Sequence, residues 1–339
     1  MTAEQAPALR ISGLTIEAAT GRGRQVLVQD VELTLARGEI LGLIGESGSG
    51  KTTTVRSVLG LLDRNVSVTA GEVSVLGMRV QAPGVDESAK VRGRHVGMVF
   101  QGASASLDPL MTVGSQLREV ARTHLPALSA RERDERIAAV IAKMGLPDTA
   151  RVLSSYPHQL SGGMRQRIAI ALAVVAEPEV LITDECTSAL DVTTQAEVVD
   201  LLRGLTERSD MGMVFVTHDL MLAGDICTRI AVMYAGQIVE IGPAREVIGQ
   251  PRHPYTRALL AAIPRWDGGE IRAIDGTAPR ITAEWTGCRF APRCPRAEAV
   301  CRTGDAPWIE LPGGGVRCHF ASGEQEGLDV AVPAGSAGQ

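Results

Sequence analysis

Aromatic side chains are scarce in these 339 residues: Phe, Trp and Tyr together make up 3% of the chain. Small residues are plentiful instead, with 37 Gly, and they suit tight turns and close helix–sheet packing. Long hydrophobic runs are missing too. The longest, Ile168 to Ala176, is less than half of the roughly 20 residues that a membrane-spanning helix needs. The first residues, MTAEQAPALR, lack a basic start followed by an apolar stretch, so no secretory signal is expected. These absences predict a cytoplasmic location, with any work at a membrane done by docking to other subunits. An excess of basic charge is absent as well. The formal net charge is -5, whereas proteins that bind nucleic acid by neutralising phosphates are usually basic. No nucleic-acid partner is expected.

The chain is nevertheless 45% apolar, enough for one large α/β domain and a smaller appendage. It has six cysteines. Cys186 and Cys227 are isolated, while Cys288, Cys294, Cys301 and Cys318 lie together within the last fifth of the chain. In a reducing compartment such a cluster points to metal binding more than to disulfides.

Leu9–Glu17 and Val26–Leu35 alternate in polarity on either side of TGRGR, which predicts an antiparallel hairpin. Glu39–Ile44 is a short apolar strand that runs into GESGSGKT and then into a helix over Thr52–Leu62. Residues 102–175 read as largely helical. A buried strand follows at 180–183, then a helix over Gln195–Arg208, a strand at 213–217 and a closing hairpin at 230–242. Alternating strands and helices predict a mostly parallel sheet with helices on both faces. After Gly249 the composition shifts towards Pro, Arg, Trp and Cys. The expected layout is a nucleotide-binding domain over 1–250, a small Cys-containing domain over 251–322, and a mobile tail over 323–339.

Two segments carry most of the chemistry. Gly45-Glu46-Ser47-Gly48-Ser49-Gly50-Lys51-Thr52 fits the phosphate-loop pattern G-x-x-x-x-G-K-[ST], and Thr53 follows it. Its glycines let backbone N–H groups turn towards phosphate oxygens, and the helix after it adds a positive N-terminal end. Lys51 can reach the β- and γ-phosphates, and Thr52 can offer its hydroxyl to Mg²⁺. Alone, the loop says only that a nucleotide phosphate is bound. The second segment is Leu160-Ser161-Gly162-Gly163-Met164-Arg165-Gln166-Arg167, where Ser161 is a suitable N-cap for an apolar-rich helix. It is a second glycine-rich helix start and a second place for an anion.

LSGGMRQR resembles the signature sequence of ABC ATPases, and further motifs follow in that family's order over residues 8–265. The resemblance implies a P-loop ABC cassette of α/β class, with a mostly parallel sheet, an N-terminal antiparallel hairpin and a helical subdomain. It implies that Ser161, Gly162, Gly163 and Gln166 bind the γ-phosphate of ATP held by a partner subunit. Gln101 matches the Q-loop glutamine, which senses Mg²⁺ and water. Val180–Glu185 matches Walker B: an apolar strand delivers two carboxylates, Asp184 to orient Mg²⁺ through water and Glu185 to polarise the attacking water. Asp191 matches the D-loop, and His218 matches the switch histidine that contacts the γ-phosphate.

Two departures stand out. Cys186 follows the catalytic glutamate where the family usually has Pro, which sets a thiol beside the site and opens it to oxidation. The family usually stacks adenine on an aromatic in the first hairpin, yet Leu9–Ala36 has no Phe, Tyr, Trp or His. Aliphatic contact is expected to replace stacking, with weaker affinity or base selectivity.

Arg252–Leu260 (RHPYTRALL) resembles a segment of the oligopeptide/dipeptide branch of these ATPases, which also carries a short Cys-bearing extension. Here the spacing is C-x5-C-x6-C-x16-C, and the four cysteines resemble the ligands of a [4Fe–4S] cluster seen in that branch. Four thiolates can also hold Zn²⁺, although the short C-x2–4-C pairs of structural zinc sites are absent; a metal-free role stays open. The resemblance implies the ATP-hydrolysing motor of a multi-subunit importer of oligopeptides or dipeptides. It would act with two membrane permease subunits, a second, non-identical ATPase and an extracytoplasmic solute-binding protein. Import of nickel, a metallophore or another small solute of the same branch is the alternative. A soluble ABC ATPase of DNA repair or translation usually has two cassettes or a long coiled-coil insertion, and neither is present. A P-loop kinase leaves LSGGMRQ unexplained.

Overall fold

The computed structural model describes residues 6–21, 23–102, 106–146, 148–188, 190–263, 274–282 and 284–321. In chain order the elements are β1 (Leu9–Thr20), β2 (Gly23–Leu35), β3 (Ile40–Ile44), α1 (Lys51–Val58), β4 (Val66–Val75), β5 (Met78–Ala82), β6 (Val85–Asp86) and β7 (Val96–Val99). Helices α2 (Val113–His124), α3 (Ala130–Lys143), α4 (Thr149–Ser154) and α5 (Gly162–Val174) follow. Then come β8 (Val180–Asp184), α6 (Val192–Arg208), β9 (Gly212–Thr217), α7 (Leu220–Ile226), β10 (Arg229–Tyr234) and β11 (Gln237–Pro243). The chain closes with α8 (Ala244–Gly249), α9 (Pro254–Ala261), α10 (Ala299–Thr303), β12 (Trp308–Leu311) and β13 (Gly314–Arg317).

Strands β10, β3, β9, β8 and β7 pair in parallel in that order. They read as near-continuous apolar runs because both of their faces are covered. Alternate residues feed two different cores. Ile40, Ile44, Leu181, Met213, Phe215, Ile230 and Val232 join one cluster with the helical region, where Leu117, Ile141, Ile168 and Leu202 sit. Leu41, Leu43, Val180, Ile182, Val214, Val216 and Ala231 join the other, with Val55 and Val58 of α1 and with Leu9, Ile11 and Leu14 of β1. The strand period of two thus splits each strand between two layers.

Over its described residues the region 102–175 is largely helical, as expected, and its first helix described in full begins at Val113. Thr112 caps it by accepting from the Ser115 N–H. Ser129 and Glu132 form a reciprocal capping box at the start of α3. Four other features differ from the sequence reading. Helix α1 stops at Val58, where Leu59 N and Gly60 N turn back to the carbonyls of Arg56 and Ser57. The expected hairpin is part of a five-stranded antiparallel sheet, in the order β2-β1-β4-β5-β6, whose buried residues share a core with one face of the parallel strands. Helix α6 starts at Val192, three residues early, because Asp191 caps it.

The fourth difference concerns the C-terminal region. It shares the core of the large domain: Tyr255, Leu260, Ile281 and Phe290 belong to the same cluster as β3 and β9. Its hairpin extends the main sheet, with β13 antiparallel to β11 through Glu240↔Val316 and Ile241↔Gly315. The composition shift near residue 250 therefore marks a change in chemistry and not a break in packing. The tail at 323–339 lies outside the described residues. Among the described residues no helix is long and apolar enough to cross a membrane.

Candidate active site

Strand β3 ends at the mouth of a cleft of about 420 Å³, within the range of small-molecule sites. Ser47 to Thr53 form its floor, Gln101 and Glu185 one wall, and Gln25, Val26, Leu27, Ala235, Pro279 and Ile281 the other. Two of the loop's glycines sit where a side chain would collide with neighbouring backbone. At Gly45 a Cβ would meet the Met233 carbonyl oxygen at 2.1 Å, and Gly50 has φ +105° beside the Leu27 carbonyl. Lys51 is buried, and its Nζ donates to the carbonyls of Gly45 (2.7 Å) and Glu46 (3.0 Å). Burial lowers its pKa, against the opposing pull of Glu185, Asp184 and Glu46. A phosphate would give this ammonium the anion that the loop carbonyls only partly replace.

Two carboxylates end strand β8 and meet different surroundings. Asp184 is fully buried and accepts from Thr52 Oγ1 at 2.9 Å through Oδ1, while its Oδ2 has no hydrogen-bond partner. Burial raises its pKa, eased by Thr52. A carboxylate oxygen orphaned beside a threonine hydroxyl is a donor set that suits Mg²⁺, a hard cation that takes oxygen ligands. Glu185 lies at φ +48°, a left-handed conformation that costs a non-glycine residue on the order of 1–3 kcal/mol. The turn aims its side chain at the cleft, where Gln101 Nε2 donates to Oε2 at 3.1 Å. His218 Nδ1 stands 3.6 Å from the same oxygen. Gly45, Glu46, Asp184 and His218 support the cleft without lining it.

The other predicted residues do not reach this cleft. Ser161 caps α5 by accepting from Met164 N at 3.3 Å, and Ser161 and Gly162 are exposed. Gln166 is buried, with its Nε2 unpartnered, because the helical period turns it inward. The structure thus separates it from the exposed loop with which the sequence grouped it. Asp191 is exposed and serves as the N-cap of α6, accepting from Thr194 N (3.0 Å) and Thr194 Oγ1 (2.8 Å). Cys186 also departs from expectation. It is buried and its thiol is pushed up to about 12 by burial, so the thiolate that oxidation requires is suppressed.

Sequence reasoning missed the support from the C-terminal region. Tyr255 Oη accepts from Glu46 N at 2.9 Å. Arg293 donates to both carboxylate oxygens of Glu46. Arg289 donates to the Ala235 carbonyl and to Gln29 Oε1. No local pattern around residues 289–293 points to the loop; Glu46 lies 247 positions from Arg293 and Gln29 lies 260 from Arg289. The four C-terminal cysteines do come together around one small cavity, shared with His253, Arg296 and Phe320. Burial raises the pKa of Cys288 (to about 11), Cys294 and Cys318. Yet among the described residues no group of three or more His, Cys, Asp or Glu is gathered tightly enough to hold a single metal ion.

A phosphate loop at the end of a parallel strand, an acidic strand end beside it and a separate glycine-rich helix start define a P-loop ATPase of the ABC class. Comparison with known proteins agrees. The family profile "ABC transporter" matches residues 28–188, and "Oligopeptide/dipeptide transporter, C-terminal region" matches residues 239–301. A protein of Brucella ovis described as a peptide import ATP-binding protein is 42% identical over 315 residues, covering 89% of this chain and 93% of its own. One of Brucella melitensis biotype 1, described in the same words, is 42% identical over 311 residues, covering 91% and 93%. The dimeric ABC transporter cassette MJ0796 is 30% identical at a TM-score of 0.61, over 70% of this chain and 99% of that one. A second structure of it, in a post-hydrolysis state with ADP and Pi, matches equally. A component of an ABC transporter complex from Clostridium perfringens shares the fold at a TM-score of 0.62 and 24% identity. The chain belongs to the ABC transporter ATPase family, in the group that carries the oligopeptide/dipeptide transporter C-terminal region.

Proposed function

We propose that this ATPase energises the uptake of oligopeptides or dipeptides as the motor subunit of an ABC importer. The observation that carries the reading is the joint match of the cassette and of the C-terminal region to one group of relatives over nine-tenths of the chain. With no helix among the described residues able to span a bilayer, the subunit works at the cytoplasmic face of the membrane against two separate permease subunits. A second, non-identical ATPase and an extracytoplasmic solute-binding protein complete the assembly.

In this reading the backbone of Gly45–Thr53 wraps the phosphates and Lys51 turns from its own loop carbonyls to the β- and γ-phosphates. Thr52 and Gln101 would hold Mg²⁺, with Asp184 orienting it through water; the ion, when bound, would neutralise charge on the transferred phosphoryl group. Glu185 takes a proton from the attacking water as the water oxygen bonds to the γ-phosphorus and the bond to the bridging oxygen of ADP breaks. Gln101 holds Glu185 in place, and His218 faces the γ-phosphate. Ser161, Gly162 and Gly163, exposed and remote from this cleft, close on the nucleotide of the opposite subunit, with Asp191 beside them at the dimer face. Gln166 supports that loop from the interior.

The cysteine cavity is read as the seat of a [4Fe–4S] cluster. Four thiols share it, in keeping with the resemblance of these cysteines to the cluster ligands of the oligopeptide/dipeptide branch. Its part is structural or regulatory, since hydrolysis needs no redox centre. Protein purified without air is expected to be brown and to carry about four irons per chain; stoichiometric zinc without iron defeats this assignment.

The decisive test of the importer reading is capture of the tagged protein from gently solubilised native membranes. Recovery of two permease subunits and a second ATPase supports it, and their identity narrows the solute. Recovery of ribosomes or repair factors with no membrane protein overturns it.

A further inference from the structure

The wall of the cleft opposite Glu185 comes from two distant parts of the chain. Val26 and Leu27 lie on β2, at the edge of the five-stranded sheet. An edge strand offers unpaired backbone groups, and the segment 274–282 takes them up near its end. Val26 N donates to the Ile281 carbonyl at 3.1 Å, and Gln25 forms an antiparallel bridge with Thr282. The segment is tied at its other end as well. Arg293, which grips Glu46 of the phosphate loop, also donates to the carbonyls of Asp275 (2.8 Å) and Ile274 (3.2 Å). Held at both ends, the segment turns Pro279 and Ile281 into the cleft beside Val26 and Leu27.

Apart from Gln25, this wall is aliphatic. No aromatic residue lines the cleft among the described residues, and the first hairpin has none to offer. A nucleotide whose phosphates fill the loop must lay its base against something, and the apolar face of a purine is matched by apolar carbon. We infer that Pro279 and Ile281 of the C-terminal region, together with Val26 and Leu27, form the base-binding wall of the ATP site. The nucleotide site is therefore a composite of cassette and C-terminal region. The inference rests on the assignment of this cleft to ATP, and it adds a contact from outside the cassette.

The test separates base from phosphates. Binding of Mg²⁺-ATP and of Mg²⁺-tripolyphosphate is measured by calorimetry on the full chain, for the parent, for Pro279→Ser, for the Pro279→Ser/Ile281→Ser double variant and for Lys51→Ala. The double variant is expected to bind ATP roughly tenfold more weakly, the usual effect of spoiling a small apolar contact, and tripolyphosphate as before. Pro279→Ser, at a half-buried position, is expected to show a smaller loss of the same kind and serves if the double variant does not fold. Unchanged ATP affinity in these variants overturns the inference. So does an equal loss for both ligands, which would make the segment a prop for the loop and not a base contact. Lys51→Ala is expected to weaken both ligands; if it weakens neither, it is the ATP assignment of the cleft that has failed.

Discussion

Arg293 of the C-terminal region grips Glu46 of the phosphate loop with two hydrogen bonds, from Nη1 to Oε2 at 2.8 Å and from Nη2 to Oε1 at 3.0 Å. The guanidinium side chain is only 5% exposed and the carboxylate 29%, so the pair is largely shielded from water. Together with the Tyr255 hydroxyl on Glu46 N, it fixes the second residue of the loop from outside the cassette. Arg293→Ala removes the cation and leaves Glu46 facing a half-closed gap. The expected cost is roughly 1–3 kcal/mol of stability, because a shielded carboxylate loses its partner. Thermal unfolding reads the loss, and the KM for ATP is expected to rise with it. Arg293→Lys should recover only part, since an ammonium cannot match the two-point grip.

Glu185 and Lys51 should fail in different ways. Glu185→Gln keeps the shape and the Gln101 contact region but removes the base. Turnover is expected to fall by about 10²–10⁴-fold while ATP binding persists. Phosphate release and nucleotide binding, measured on the same preparation, check both halves, and gel filtration with ATP should show more of the closed dimer. Lys51→Ala should instead weaken binding itself. Near-normal hydrolysis by Glu185→Gln would remove Glu185 from the role of base.

How far the sequence spoke depends on the distance between partners. The loop after β3, the paired carboxylates after β8 and the capped start of α5 are each written within about ten consecutive residues, and the structure builds them as read. The five-stranded sheet was harder to see beyond its first hairpin. Its strand β4 is mostly half-exposed and shows no clean alternation, with only Val73 and Val75 deeply buried. Gln166 was grouped with its motif neighbours, and only the helical period sends it inward. The grip of Arg293 on Glu46 spans 247 positions and leaves no local trace. Nor does the pairing of Val26 with Ile281, which required knowing that β2 is an edge.

Cys186 and Cys227 are expected to be chemically silent in the folded protein. Both are buried, and burial raises both thiols, that of Cys186 to about 12. The thiolate is the reactive form, and little of it exists at neutral pH. Alkylation of the native protein followed by mass spectrometry should leave both residues unmodified, whereas denaturant should expose them. Mild peroxide should not slow hydrolysis through Cys186. Rapid native labelling of Cys186 would show that the turn after Glu185 opens far more readily than its packing implies.

Asp184 gives the site a pH signature whose sign follows from burial. Its folded pKa is raised, first by burial, with Thr52, Arg56 and Lys51 pulling it down and Glu185 pushing it up. The folded protein therefore resists the ionised form, which the unfolded chain accepts freely above about pH 4. The cost of the buried carboxylate is fully present above the folded pKa and disappears as the pH falls through it. Mg²⁺ binding demands the opposite, an ionised Asp184. Two outcomes follow. The acid limb of kcat/KM should lie above the usual carboxylate range, since that profile reports the free enzyme. Without nucleotide and Mg²⁺, Asp184→Asn should be more stable than the parent at pH 8 by on the order of 1 kcal/mol, about 1–2 °C in Tm for a chain of this size. The advantage should shrink as the pH falls towards the raised folded pKa, while hydrolysis is lost at every pH. This is the exchange of stability for function expected where a site must hold a charge its fold does not favour. Scanning calorimetry of both proteins across pH 5–8 decides it, and an Asn variant less stable than the parent at pH 8 would mean that the contacts to Thr52 and Lys51 already outweigh the burial of the charge.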